Sequence, residues 1–405
     1  MTGAMYAAIS GLKTHMNKLN VIGNNIANVN TYGYKTQRAI FSDSIYATTR
    51  SGSDGTAAVG AINPSQIGYG VEMSSVDLDM SSGTYSPTGR DMDCMIMGDG
   101  FFLVSDKTSQ AVIDPTNADS LTSMTLTRVG NFDFKADGYL SDGYGNVVYG
   151  FLCTGITKDG VTTFSDQLVP IRLPRVYVDE ATNTVKIGYP SADLNDDGVT
   201  YGRLHDFYGP EYDPTATDPD DEGAPKEYPF AGMDSISIDP KTGLITGTSK
   251  DTKSTVTIGV IALGNVTNPN GVTHTSGPYY KADKGAGDLQ ISIMGGYAED
   301  MDICNAVEDG VTMSTATTGF TYINGSMVDQ TNADPNDPDN PPLSDDVRVY
   351  SAGTTELMTG GLEMSKTDLA TEIAEMITTQ RGYQANTRII TVTDSMLEEL
   401  VNIKR

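Results

Sequence analysis

The residues that could carry covalent or metal chemistry are few and scattered. Cys94, Cys153 and Cys304 are odd in number, far apart and without a CxxC pair, so they frame neither a disulfide scaffold nor a local zinc site. His15, His205 and His274 are equally isolated, and a Cys–His nucleophile pair would have to be assembled across long separations. Asp193-Leu194-Asn195-Asp196-Asp197-Gly198 matches the first half of a calcium loop, but its twelfth position is Leu204, where a bidentate Glu is needed. An acidic turn is the reading there. Gly98-Asp99-Gly100 lacks the Lys-Ser/Thr of a phosphate loop. Met92, Met95 and Met97 read as a strand core or a loop rather than a ligand set. These residues point away from an enzyme, and no metal and no cofactor is expected.

Charge narrows the partners. The chain has 405 residues, 26 Lys and Arg against 53 Asp and Glu, and a formal net charge of −27. Nucleic acid and anionic membrane surfaces both demand clustered cations, so neither is expected. Residues 1–50 carry Lys13, Lys18, Lys35, Arg38 and Arg50 against Asp43 alone, which concentrates the negative charge in the middle of the chain. There it keeps the surface soluble and self-repelling. No run of about 20 apolar residues could span a bilayer, and residues 1–25 lack the continuous apolar block of a secretory signal.

The elements follow the same division. Met5, Leu12, Leu19 and Ile26 recur every seven residues, with Ile9, Met16 and Ile22 between them. Near the other end Leu362, Leu369, Met376, Tyr383, Ile390 and Leu397 repeat the spacing, flanked by Ile373 and Val401. Seven-residue periodicity keeps one apolar stripe facing one partner. It predicts helices over about 3–28 and 365–402. Between them seven Asp-Gly pairs, Asn270-Gly271 and Asn324-Gly325 favour tight turns. Alternating runs such as Ser235–Asp239 and Ser254–Ile261 favour antiparallel strands. Pro210–Pro229, Thr331–Asp346 and residues 48–60 read as loops or linkers.

The expected fold class is mainly β with a terminal α-helical coiled coil, a discontinuous multi-domain chain. Its expected parts are an N-terminal helix over 1–30, a linking segment over 31–70 and an inner β-domain over 71–150. An outer β-domain over 151–250 follows. The inner domain resumes over 251–360, with room for an insert at about 290–355, and a C-terminal helix occupies 361–405. A lone amphipathic helix cannot hide its stripe, so the two ends pair within one molecule or bundle with other copies. Periodicity does not choose between these.

Several blocks resemble a known family. Asn24-Asn25-Ile26-Ala27-Asn28-Val29-Asn30-Thr31-Tyr32-Gly33-Tyr34-Lys35 is similar to the N-terminal signature of bacterial flagellar rod and hook proteins. Gly361–Arg405 resembles their C-terminal segment, with its centre at Met376–Asn386 and the residues Gln380, Arg381, Tyr383, Gln384 and Asn386. Gly98–Val104 and Arg128–Gly150 match internal blocks, and Ile258–Gly271 resembles the hairpin where the inner domain resumes. Rod proteins of this family are shorter, so the length and long β middle favour the hook branch. The stretch between Gly271 and Gly361 is longer than that branch leads one to expect.

The resemblance implies a structural subunit that polymerises into a curved, flexible tube carrying motor torque from rod to filament. It implies many copies of the chain as partners, together with the flagellar rod, the hook cap, the hook–filament junction proteins and the type III export apparatus. It also implies export to the outside of the cell without a cleaved signal peptide. A long distal-rod protein forming a straight shaft is the alternative within the family. A secreted β-domain adhesin, which would need a signal or surface anchor, is the alternative outside it. In the implied assembly Met5, Leu12, Leu19 and Ile26 pack against Leu369, Met376, Tyr383, Ile390 and Leu397, with Leu362 and Ile373 on the same stripe. Each buried side chain contributes about 1.5–3 kcal/mol. Ordering the tails costs about 1–2 kcal/mol per residue, so they are expected to order on assembly. Gly33 is expected to take positive φ in a rigid turn between Asn25 and Lys35.

Overall fold

A computed structural model divides the chain into two compact units, Met1–Met80 with Ser365–Arg405, and Ser81–Met364. The structure describes residues 2–403 except 53, 55–59, 107–120, 122, 157–161, 166–167, 180–181, 195–199, 206, 208–225, 227, 288, 294–300, 303–319, 324–325, 330–349 and 352–354. Cys304, the centre of the acidic turn at 195–198 and almost all of the two Pro/Asp-rich stretches lie outside the described residues.

The first unit holds two helices, α1 (Thr2–Ala27, 26 residues) and α2 (Leu369–Ile403, 35 residues). The second helix starts four residues later than periodicity predicts, because Asp368 caps it. Its carboxylate accepts the Ala370 N–H at 3.0 Å and the Thr371 hydroxyl at 2.6 Å. The Thr371 hydrogen bond, then that of Ala370, holds this carboxyl below its ordinary pKa. Leu362 therefore does not lie on the helix. It sits in the strand Gly361–Glu363 of the other unit and is buried there. The heptad spacing that included it is a coincidence of an alternating strand with a helical repeat.

A long antiparallel ribbon completes the first unit. Strand β1 (Gln37–Asp43) and strand β2 (Tyr46–Arg50) run outward, and β3 (Ser65–Gly68) and β4 (Val71–Leu78) return. The register runs from Gln37↔Leu78 to Asp43↔Val71 and from Tyr46↔Gly68 to Arg50↔Ser65. Ser44 N–H to Gly70 O at 2.9 Å and Tyr69 N–H to Ile45 O at 3.0 Å join the two halves. The ribbon thus includes Thr48–Arg50, read from sequence as the start of a loop.

The second unit is β-rich around one long strand, Thr255–Val266. It pairs antiparallel with Val147–Ile156, Phe101–Ser105, Leu244–Ser249 and Leu289–Ile293. Its residues Ile258–Gly264 are all buried, as in a strand covered on both faces. Phe102 and Phe132 meet edge to face at 4.9 Å in the adjoining core. Ser235–Asp239 and Ser254–Ile261 fall within or at the edges of strands as expected, and Met95 is a buried strand residue. Gly100 and Gly138 have positive φ, but in Asp142-Gly143 the turn places it on Gly145 instead. The glycines of the remaining four Asp-Gly pairs lie outside the described residues.

Entrance and exit of this unit are paired. Gly361–Glu363 lies antiparallel to Tyr85–Pro87, and Glu356–Thr359 to Asp93–Met97. A buried ion pair ties them further. Arg128 Nη1 lies 3.9 Å from Glu363 Oε2, both side chains are 1 % exposed, and Glu363 Oε1 accepts the Gly83 N–H at 2.7 Å. Arg128 also lies over the Phe101 ring at 5.4 Å. Glu363→Met should destabilise this unit by about 3–5 kcal/mol by stranding the buried guanidinium, and Arg128→Met with Glu363→Met should cost less than the single change. Urea unfolding of the two variants measures this.

Candidate assembly interface

α1 and α2 pair antiparallel. A Cβ on Gly11 would meet Asn386 Nδ2 at 2.6 Å, and one on Gly382 would meet the His15 ring at 2.8 Å. Glycine at both places leaves room for the Asn386 carboxamide and the His15 ring to reach across to the other helix. Lys18 Nζ bonds Glu375 Oε2 at 2.9 Å, and Asn25 Nδ2 bonds Glu372 Oε1 at 2.9 Å, closer to the end of α1. The approaches of Gly11 to Asn386 and of His15 to Gly382 and the Asn25–Glu372 bond set Met5 level with Val392, Leu12 with Ala385, Leu19 with Thr378 and Ile26 with Thr371. These are two residues from the heptad positions Ile390, Tyr383, Met376 and Leu369.

The deepest positions are different ones. Ala8, Gly11, Thr14, Ile22 and Asn25 are buried on α1, and Thr379 and Thr393 on α2. Met5, Leu12, Leu19, Ile26, Met376, Tyr383 and Ile390 are partly buried. Leu369, Ile373 and Leu397 are exposed at 44 %, 44 % and 37 %. The inner seam is therefore small and polar, and the larger apolar residues stand beside it or face outward. Of the C-terminal signature, Asn386 faces Gly11, Tyr383 is partly buried, and Gln380, Arg381 and Gln384 are exposed.

α1 has a second neighbour, the ribbon. Thr14 Oγ1 donates to Val71 O at 3.2 Å, and Val71 N–H to Ser10 Oγ at 3.3 Å. His15 meets Phe41 edge to face at 5.9 Å, and Lys18 Nζ lies 5.9 Å from the same ring. Burial, then the charge of Lys18, holds the His15 imidazole below its ordinary pKa, so it is neutral at physiological pH.

The N-terminal signature builds the corner where helix, ribbon and α2 meet. Gly33 has φ of 68°, as the turn requires. Asn28 Nδ2 bonds Asn24 O at 2.9 Å, and Thr31 Oγ1 donates to Asn28 Oδ1 at 3.1 Å. Ala27 is exposed at the last turn of α1. Asn25 is 1 % exposed and uses its whole hydrogen-bonding capacity. Its Nδ2 donates to Gln37 O at 2.8 Å and to Glu372 Oε1, and its Oδ1 accepts from Gln37 N–H at 3.0 Å and Tyr34 OH at 2.9 Å. Tyr34 OH in turn accepts from Asn24 Nδ2 at 3.1 Å. Lys35 is buried and its Nζ lies 3.4 Å from Met80 O.

Glu372 bears the strain of this corner. Burial, opposed by the Asn25 hydrogen bond and Lys18 and reinforced by Glu375 and Asp368, raises its pKa from the ordinary 4.5. A carboxyl that holds its proton more tightly when folded loses stability as pH rises through that window. Glu372→Gln keeps an oxygen for Asn25 and removes the charge. Amide exchange along α1, with the helices paired, should show stronger protection in this variant at pH 7–8. The difference should shrink as pH falls toward 4.5.

These two terminal regions are also where known families match. Residues 5–35 match the flagella basal body rod protein family, and residues 358–403 the flagellar basal body rod FlgEFG protein C-terminal family. The chain is 27 % identical to the flagellar basal-body rod protein FlgG of Bacillus subtilis (strain 168) over 405 residues, covering all of both chains. It is 24 % identical to the flagellar hook protein FlgE of Borreliella burgdorferi over 471 residues, again covering all of both. It is 31 % identical to the flagellar basal-body rod protein FlgG of Buchnera aphidicola subsp. Baizongia pistaciae over 205 residues, 49 % of this chain and 71 % of that one. The paired terminal helices, the signature corner and these matches together make the chain a member of the flagellar rod and hook protein family, a family of structural proteins.

Proposed function

We propose that the chain is the hook subunit of this family, polymerising into the curved tube that carries torque from rod to filament. The observation that carries this reading is the large β-rich body of residues 81–364 inserted between the helix-bearing ends. Full-length similarity to proteins named as hook proteins supports it. The helix pair supplies the inner layer of the tube, and the hydrated, acidic middle suits outer domains that slide without dry sticking. The partners are further copies of the chain, the rod, the hook cap, the junction proteins and the type III export apparatus. Export through the flagellum's own channel suits buried thiols kept out of disulfides. Burial raises both Cys94 and Cys153, the latter to about 12, which leaves them inert.

Full-length similarity to a protein named as a rod protein favours the second reading, a straight drive shaft. Gold-labelled antibody microscopy on flagella extracted with their basal bodies separates the two. Label on the short curved segment is expected. Label confined to the straight rod would move the function to the shaft, and label across the cell surface would revive the adhesin.

In the monomer the bare apolar residues of α1 and α2 leave their closure weak. Amide protection of residues 2–27 should rise at least about tenfold on polymerisation, while the strand Thr255–Val266 is protected in both states. Equal, strong protection of α1 in the monomer would contradict this.

A further inference from the structure

Both the ribbon and α2 outrun α1 at the same end. The Gly11–Asn386 and Gly382–His15 approaches set Thr2 level with about residue 395, so Met396–Ile403 project about 12 Å beyond α1. The ribbon runs toward that end as well. Phe41 lies by His15, Val71 by Ser10, and the Tyr69 ring lies 3.1 Å from where a Cβ on Gly3 would stand. Past that point β2 and β3 continue for about 17 Å with every residue exposed.

Among the described residues this end exposes large apolar side chains between polar ones. On the ribbon Tyr46 is 51 % and Ile67 56 % exposed, and on α2 Leu400 is 47 % and Val401 66 % exposed. A two-stranded ribbon bare on both faces is marginal in water and carries two free edges. It needs a cover. The opposite end of the helix pair offers a different surface. Leu369, Ile373 and Ile377, at 44 %, 44 % and 48 % exposure, form a ridge at four-residue spacing. Beside it runs a shallow groove lined by Ala370, Thr371, Ala374 and Thr378, with Glu375, the partner of Lys18, at its edge. A ridge next to a shallow groove is a shape into which the side chains of a facing element can interdigitate.

We propose that the projecting end of one copy, strands β2 and β3 with the last two turns of α2, docks head to tail on the Leu369–Ile373–Ile377 face of a second copy. The inference rests on the polymer reading above and specifies its direction. A second copy is the fitting occupant because the two surfaces lie at opposite ends of one unit and the projecting turns of α2 carry the helix–helix seam past the end of α1. Two different patches meeting head to tail generate an open filament, whereas one self-complementary patch would stop at a dimer.

Complementation between full-length variants tests it by sedimentation velocity. Ile67→Asp spoils the projecting end and leaves the face, and Ile377→Asp does the reverse. Each alone should raise the concentration needed for assembly at least about tenfold. Mixed at equal amounts, they should form one-to-one dimers and stop, because one intact projecting end meets one intact face. Dimer formation also shows that both chains are folded, and Val401→Asp replaces Ile67→Asp if circular dichroism shows that variant unfolded. Wild-type assembly with no dimers in the mixture, or assembly of either variant at the wild-type concentration, overturns the head-to-tail contact and leaves the polymer reading standing. A wild-type chain that stays monomeric at all concentrations removes both.

Discussion

One buried carboxamide holds the helix-bearing unit together. Asn25 belongs to α1, but its two donors and two acceptors are spent on Tyr34, on both backbone groups of Gln37 and on Glu372 of α2. The corner between helix and ribbon and the start of the second helix are thereby fixed by one side chain. Inside a protein such a set tolerates no missing member, since an unpaired buried polar group costs about 1–3 kcal/mol. The close passage of Gly11 past Asn386 and of Gly382 past His15 depends on the same register.

That register determines what is left for other contacts. A seam made of Ala8, Gly11, Thr379 and Gly382 brings the helix backbones together but removes little apolar surface from water. The bulky residues Tyr6, Ile9, Met16, Ile373, Ile377 and Leu400 remain outside. A helix pair of this kind is specific before it is stable, and burying its outer residues against other chains is what a polymer adds.

The heptads at Met5–Ile26 and Leu369–Leu397 located both helices, because a sevenfold repeat survives whatever packs against it. They did not reveal the innermost line. α1 has two neighbours, α2 and the ribbon, so its buried positions form a wide face on which small and polar residues sit deepest. Leu362 matched the repeat by chance from a strand. The ribbon's outer half was illegible since Thr48, Thr49, Ser65 and Gln66 are exposed on both faces and leave no alternation. The partner of Asn25 was equally hidden, 347 residues away in sequence. The strands of the large unit were legible from alternation and turn residues, and their pairing order was not.

The pairing of Tyr85–Pro87 with Gly361–Glu363 has a consequence for how such chains diversify. The polypeptide leaves for the large unit and returns from it one ladder spacing apart, about 5 Å. Whatever lies between can be lengthened, shortened or exchanged while the two stubs keep their distance. The alignment with the Borreliella protein extends to 471 positions against 405 residues here, yet covers all of both chains. A doorway of fixed width in a variable building lets one terminal chassis carry bodies of different size.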